Sequence, residues 1–151
     1  MCVCCKEIRW GKVFISAIIF AVIDQIVHII GAHLTMSYYT DPAMAGLWSK
    51  VMMSAEGPPP ASFFIYSVLL SFLVGFVLAA SYDFLRPRLE NASFAGKLFT
   101  FFFFAASLSV VMGYMPMYLF INIPFLLIVA WFIQTLISYF INIMVFVGIF
   151  K

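Results

Sequence analysis

Asp24 and His28 stand four residues apart inside an unbroken apolar run, so on a helix they share one face, one turn from each other. An ionisable pair in such surroundings is costly unless partnered. It is therefore the first place to look for chemistry: a proton relay, a cation site, or a carboxyl group that fixes helix packing. Gln25 and His33 extend the polar character of the same segment, and His28 and His33 are the candidate metal ligands. If Asp24 serves packing alone, Asp24→Asn should be nearly silent, because the amide keeps the shape and much of the hydrogen bonding. If Asp24 relays protons or holds a cation, the amide should assemble normally and lose the function.

Two further stripes repeat every four residues. Gln134, Ser138 and Asn142 form a polar line on one helical face, and counting 1.5 Å per residue from Pro124 brings Gln134 to the depth of Asp24. A contact between those two faces is expected. Ser67, Ser71, Gly75 and Ala79 form a line of small residues that lets a neighbouring backbone approach closely. Ser107, Ser109, Gly113 and Pro116 point to packing and a bend near the outer end of their segment. Cys2, Cys4 and Cys5 crowd the N-terminal end; no second His or Cys cluster completes a zinc spacing, which favours free or lipid-modified thiols. No paired axial histidines and no nucleophile triad can be assembled, so neither a cofactor nor catalysis is expected.

The elements that position these residues follow from composition. Hydrophobic residues make up 66% of the 151-residue chain and charged residues 9%, against about 25% charged in soluble domains. That excludes a water-soluble fold, and a net charge of +2 is too small to suggest nucleic acid. The expected fold is all-α, a four-helix bundle in a lipid bilayer forming one domain over residues 1–151. Its spans are Lys12 to Met36, Ser62 to Leu85, Leu98 to Ile121 and Pro124 to Phe150, each long enough to cross a hydrocarbon core of about 30 Å. Gly57-Pro58-Pro59-Pro60 and Arg86-Pro87-Arg88 bracket the second span, since proline lacks the amide donor. Asn122-Ile123-Pro124 is so short that the last two spans must be antiparallel neighbours. The first apolar run lacks a cleavage site and is expected to stay as a helix.

Lys6, Arg9, Lys12, Arg86, Arg88, Lys97 and Lys151 fall on one side of these spans and only Lys50 on the other. The positive-inside rule then places both termini in the cytoplasm, in the cell membrane. In the first outer loop, Thr40-Asp41-Pro42 reads as a capped helix start, and Met44, Leu47, Trp48, Val51 and Met52 share one apolar face. A short helix lying at the outer interface is expected there, as a packing lid or a recognition surface.

At Ser81-Tyr82-Asp83-Phe84-Leu85-Arg86-Pro87-Arg88, followed by Gly96-Lys97-Leu98-Phe99, the chain resembles a loose group of small four-span prokaryotic membrane proteins of unknown function. The shared features are a Tyr and an Arg-Pro-Arg closing the second helix, a Gly-led third helix and a midspan polar residue in the fourth. The resemblance implies the fold and topology and no activity. The expected function is a non-enzymatic membrane protein, a homo-oligomer or an accessory subunit of a larger membrane complex. The alternative is a carrier of protons, metal ions or a small solute through Asp24, His28 and Gln134. A membrane enzyme would need an interfacial polar pocket that the loops barely supply.

Overall fold

The structure, a computed structural model, describes residues 7–48, 52 and 59–151. The cysteines at 2, 4 and 5, Lys6, Lys50, Val51, Gly57 and Pro58 lie outside the described residues. Among the described residues every regular element is helical: α1 Trp10–Leu34, α2 Met36–Thr40, α3 Ala61–Leu85, α4 Phe94–Ser109, α5 Met115–Phe120 and α6 Phe125–Ile149. The stretches Trp10–Leu34, Ala61–Leu89, Phe94–Phe120 and Phe125–Ile149 are long and apolar enough to cross a membrane.

Local chemistry sets the ends. Pro60 is extended at the start of α3, and Pro87 sits in the short 3-10 turn Arg86–Leu89 that closes it. The third span begins at Phe94, earlier than the expected Leu98, because the Ser93 hydroxyl accepts the Gly96 amide at 3.1 Å and caps the helix there. Pro124 precedes α6 and its carbonyl accepts the amides of Leu127 and Ile128. In the loop between the first two spans Asp41 caps Pro42 as expected, accepting the Ala43 amide at 2.9 Å. The capped segment is a 3-10 turn, Pro42–Leu47, rather than an α-helix, and Val51 of its expected apolar face is not among the described residues.

Between α4 and α5 the span widens into a π turn, Val110–Tyr114, with the Met115 amide bonded to the Val110 carbonyl. Pro116 has no amide hydrogen and crowds the carbonyl four residues before it, so a wider turn relieves the conflict at the bend expected from Gly113 and Pro116.

Helix α1 lies between α3 and α6, and α4 packs on the other side of α6. Aromatic rungs fix the antiparallel register of α1 on α3: Trp10 stacks on Phe76 at 5.9 Å and Phe14 meets Phe72 at 5.4 Å. Near the end of α3 Tyr82 packs edge-on against Phe101 of α4 at 5.2 Å and against Phe150 at 5.7 Å, which joins three helices around one buried ring. Away from this contact α3 and α4 do not pack along their lengths, so the fourth side of the bundle stays open.

The small-residue stripe sits under α1. Ser71, Gly75 and Ala79 are buried, and a Cβ on Gly75 would come within 2.6 Å of the Phe20 Cβ. Phe20 is itself 1% exposed and held against Tyr139 and Phe146, so it has nowhere to move. Gly75→Leu should therefore lower bundle stability by roughly 1–3 kcal/mol, the range for overpacking, while Leu69→Ala on the outward face should change little. Equal melting of both variants in detergent would show that the α1–α3 contact does not depend on this close approach.

Candidate functional site

Asp24 is 8% exposed, at the point where α1 meets both of its neighbours. Ser71 of α3 donates its hydroxyl to Oδ2 at 2.6 Å, and Ser138 of α6 donates to Oδ1 at 2.6 Å. Each serine in turn accepts from an amide: Gln25 Nε2 donates to Ser71 at 3.0 Å, and Asn142 Nδ2 donates to Ser138 at 3.3 Å. Gln25 Nε2 also reaches Ser67 at 2.8 Å, and Asn142 Nδ2 bonds the Ser138 carbonyl at 3.0 Å. The hydrogen bonds thus run from amide to hydroxyl to carboxyl on both sides and converge on one side chain.

His28 is half exposed and its Nε2 lies 3.9 Å from Asp24 Oδ1, beyond hydrogen-bond length. Its Nδ1 is buried without a partner among the described residues. His33 is exposed, and among the described residues no three His, Cys, Asp or Glu side chains gather closely enough to hold a metal. Gln134 does not reach Asp24. It fills the space beside Gly31, where any Cβ would overlap its amide, and Ser138, one turn further along α6, takes the carboxyl group instead. Equal counting from the two ends of the bilayer misses the offset because the space left by Gly31 sets the register of α6 on α1. Ser16 and Asn142 are fully buried, and each keeps an oxygen with no partner among the described residues.

A second polar cluster, not expected from the sequence, closes the end of the bundle where α1 begins and α3 and α6 end. The Asp83 side chain is 1% exposed. It accepts the Arg9 backbone amide at 2.7 Å, Arg9 Nε at 3.2 Å and Nη2 at 3.0 Å, and Arg86 Nε at 3.1 Å. Arg9 continues to the Phe150 carbonyl at 2.9 Å and lies over the Phe150 ring, while Lys12 Nζ reaches the Ile149 carbonyl at 2.6 Å. One carboxylate and two cations thereby join the start of α1, the end of α3 and the unpaired carbonyls at the end of α6. The available signal was Asp83 and Arg86 at a three-residue spacing just where the apolar run ends.

Smaller bonds attach the outer half of the third span to α6. Ser109 donates to the Ala105 carbonyl and meets the Tyr139 hydroxyl at 3.1 Å, and Tyr114 donates to the Trp131 carbonyl at 3.1 Å and meets Thr135. Trp131 Nε1 donates to the Tyr39 hydroxyl at 2.7 Å, which brings α2 onto the outer end of α6. Ser107 faces outward.

Fold and site together define a small all-α, multi-pass membrane protein whose helices are joined by two buried carboxylates at different depths. No known protein family, curated protein or solved structure matches the chain.

The directed bonds change the expectation for Asp24→Asn. An asparagine amide would set its donor against one serine hydroxyl, whose own proton would then lose its acceptor. Even a purely structural Asp24 should then cost roughly 1–2 kcal/mol on conversion to Asn, with Ser138→Ala in the same range. A silent Asp24→Asn in a thermal melt would mean that the two serine bonds to Asp24 contribute nothing net. For Asp83→Ala the expected loss is about 2–3 kcal/mol, below the ~3–5 of a fully buried pair because both guanidinium groups reach solvent. Melting of Asp83→Ala within a degree of wild type would mean that this cluster contributes nothing net.

Proposed function

We propose that the protein is a non-enzymatic component of the cell membrane that works by lateral association, as a homo-oligomer or as an accessory subunit of a larger membrane complex. The observation that carries this reading is the open side of the bundle between α3 and α4. Ser62 through Leu70 on the outer third of α3 are exposed apart from Phe63 and Ser67, which are only partly covered, and Leu70 is 63% exposed. A neighbouring helix inserted there would complete the packing that α1, α6 and the α4–α6 hairpin leave unfinished. In lipid such an association is driven by close packing rather than by water exclusion, so a well-formed surface matters more than its apolar area.

Both termini are assigned to the cytoplasm, supported by the distribution of lysine and arginine. With the native cysteines replaced by serine, Asn122→Cys should react with an impermeant thiol reagent from outside intact cells and Asn91→Cys should not; the reverse labelling would invert the orientation. For association, purification in mild detergent should yield a species larger than one chain, or a stoichiometric partner, and Leu70→Arg should reduce it. A wild-type chain that stays monomeric and unaccompanied in lipid nanodiscs would overturn the proposal.

The carrier reading keeps one specific support, the unpartnered Nδ1 of His28 beside the Asp24 carboxyl group. Against it stands the engagement of both Asp24 oxygens by serine hydroxyls. Proton or metal uptake into liposomes that is present in wild type and lost in Asp24→Asn would favour the carrier.

A further inference from the structure

A cavity of about 300 Å³ opens at the inner end of the bundle, between the turn that closes α3, the first turn of α4 and the end of α6. Arg86, Lys97 and Lys151 line it with Glu90, and Phe94 and Tyr82 supply apolar wall. The only side-chain carboxylates on the elements that form it are Asp83 and Glu90. Asp83 is occupied by Arg9 and by Nε of Arg86, which leaves the terminal nitrogens of Arg86 without a partner among the described residues. Lys97 and Lys151 pair with no side-chain carboxylate there either, and the Lys151 ammonium rests 6.0 Å from the Phe94 ring centroid. The cavity is thus left with an excess of positive charge that the protein's side chains do not neutralise.

Its depth identifies the anion. The cavity lies where the span Ala61–Leu89 ends, Phe94–Phe120 begins and Phe125–Ile149 ends, which is the level of the lipid headgroups. At that level, basic pockets between spans meet phosphate attached to a diacylglycerol, and the exposed Phe94 offers apolar surface to the chains below it. The volume is at the small end of ligand pockets, roughly 300–1,000 Å³, enough for a headgroup and too small for a whole lipid. We propose that this cavity binds the phosphodiester headgroup of an anionic phospholipid, with Arg86, Lys97 and Lys151 contacting the phosphate. The assignment is independent of lateral association and of the role of Asp24.

The test uses the full chain in mild detergent at 150 mM salt, where loose surface attraction is screened. Phosphatidylglycerol should raise the melting midpoint by about 2–4 °C and remain attached in native mass spectrometry, and phosphatidylcholine with the same acyl chains should do neither. The double variant Lys97→Gln/Lys151→Gln should lose at least half of the shift, and Arg88→Gln, which lies outside the cavity, should retain it. An undiminished phosphatidylglycerol effect in the double variant, or an equal effect of phosphatidylcholine, would overturn the site. If inorganic phosphate alone reproduced the full shift, the ligand would be a soluble phosphate and the lipid assignment would fail.

Discussion

A carboxylate near the middle of a span has to find partners inside the protein, because the bilayer offers none, and here that requirement falls on Asp24. Placing it there costs about 2.5–3.5 kcal/mol on insertion scales. Hydrogen bonds between membrane helices return about 0.6 kcal/mol on average and at most about 1.7. Two such bonds return about 1.2 kcal/mol on average and at most about 3.4, comparable to the cost only at the upper limit. The gain is in arrangement. One serine comes from α3 and the other from α6, so Asp24 is satisfied only when both helices stand at the right height and rotation against α1. Other registers of the same apolar surfaces would bury similar area and leave the carboxylate unpaired, which is how a small polar centre selects one packing among many.

Asp83 applies the same constraint at the end of the bundle where α1 begins, with a different purpose. It lies where water and headgroups begin, so its guanidinium partners remain partly wet and the contact contributes modest net energy. What it determines is the meeting of three helix ends, since Arg9 uses the carboxylate and the carbonyl at the end of α6 together. The ring of Tyr82, lodged between Phe101 and Phe150, fills the space just inside this polar layer. This end and the middle of the bundle are thereby specified, while the opposite half between α3 and α4 is not, and this gradient along the helix axes is the main asymmetry of the molecule.

Much of this was legible in one dimension. Apolar runs punctuated by Pro58 to Pro60, by Arg86-Pro87-Arg88 and by Asn122 to Pro124 mark the spans, and a four-residue spacing marks Ser67 to Ala79 and Gln134 to Asn142 as single faces. Periodicity describes each helix by itself. It says which residues share a face and not which face meets which, so Gln134 looked like the partner of Asp24 when Ser138 fills that place. The register depends on a space beside Gly31, a property of two helices at once. Asp83 was hidden for a related reason: its main partner, Arg9, is 74 residues away, and a charge at the end of a span looks like ordinary boundary polarity until the distant chain is brought beside it. The third span started early because a single serine cap outweighs the position of the first continuous apolar stretch.

The π turn at Val110–Tyr114 makes the outer end of its span a separately phased unit. One residue more than an α-helical turn needs rotates every later side chain by about 100° relative to an uninterrupted helix. Tyr114 consequently aims its hydroxyl at Trp131 and Thr135 on α6. Loss of one residue in this turn would restore a continuous α-helix and leave Tyr114 and Met115–Phe120 on the faces they now present, because the wider turn already absorbs the extra residue; closing the turn without losing a residue would instead swing Tyr114 towards lipid. The chain thus carries a place where a single-codon deletion can be absorbed without rotating the helix beyond it, whereas the same deletion in a regular stretch of the span would turn everything beyond it by about 100°.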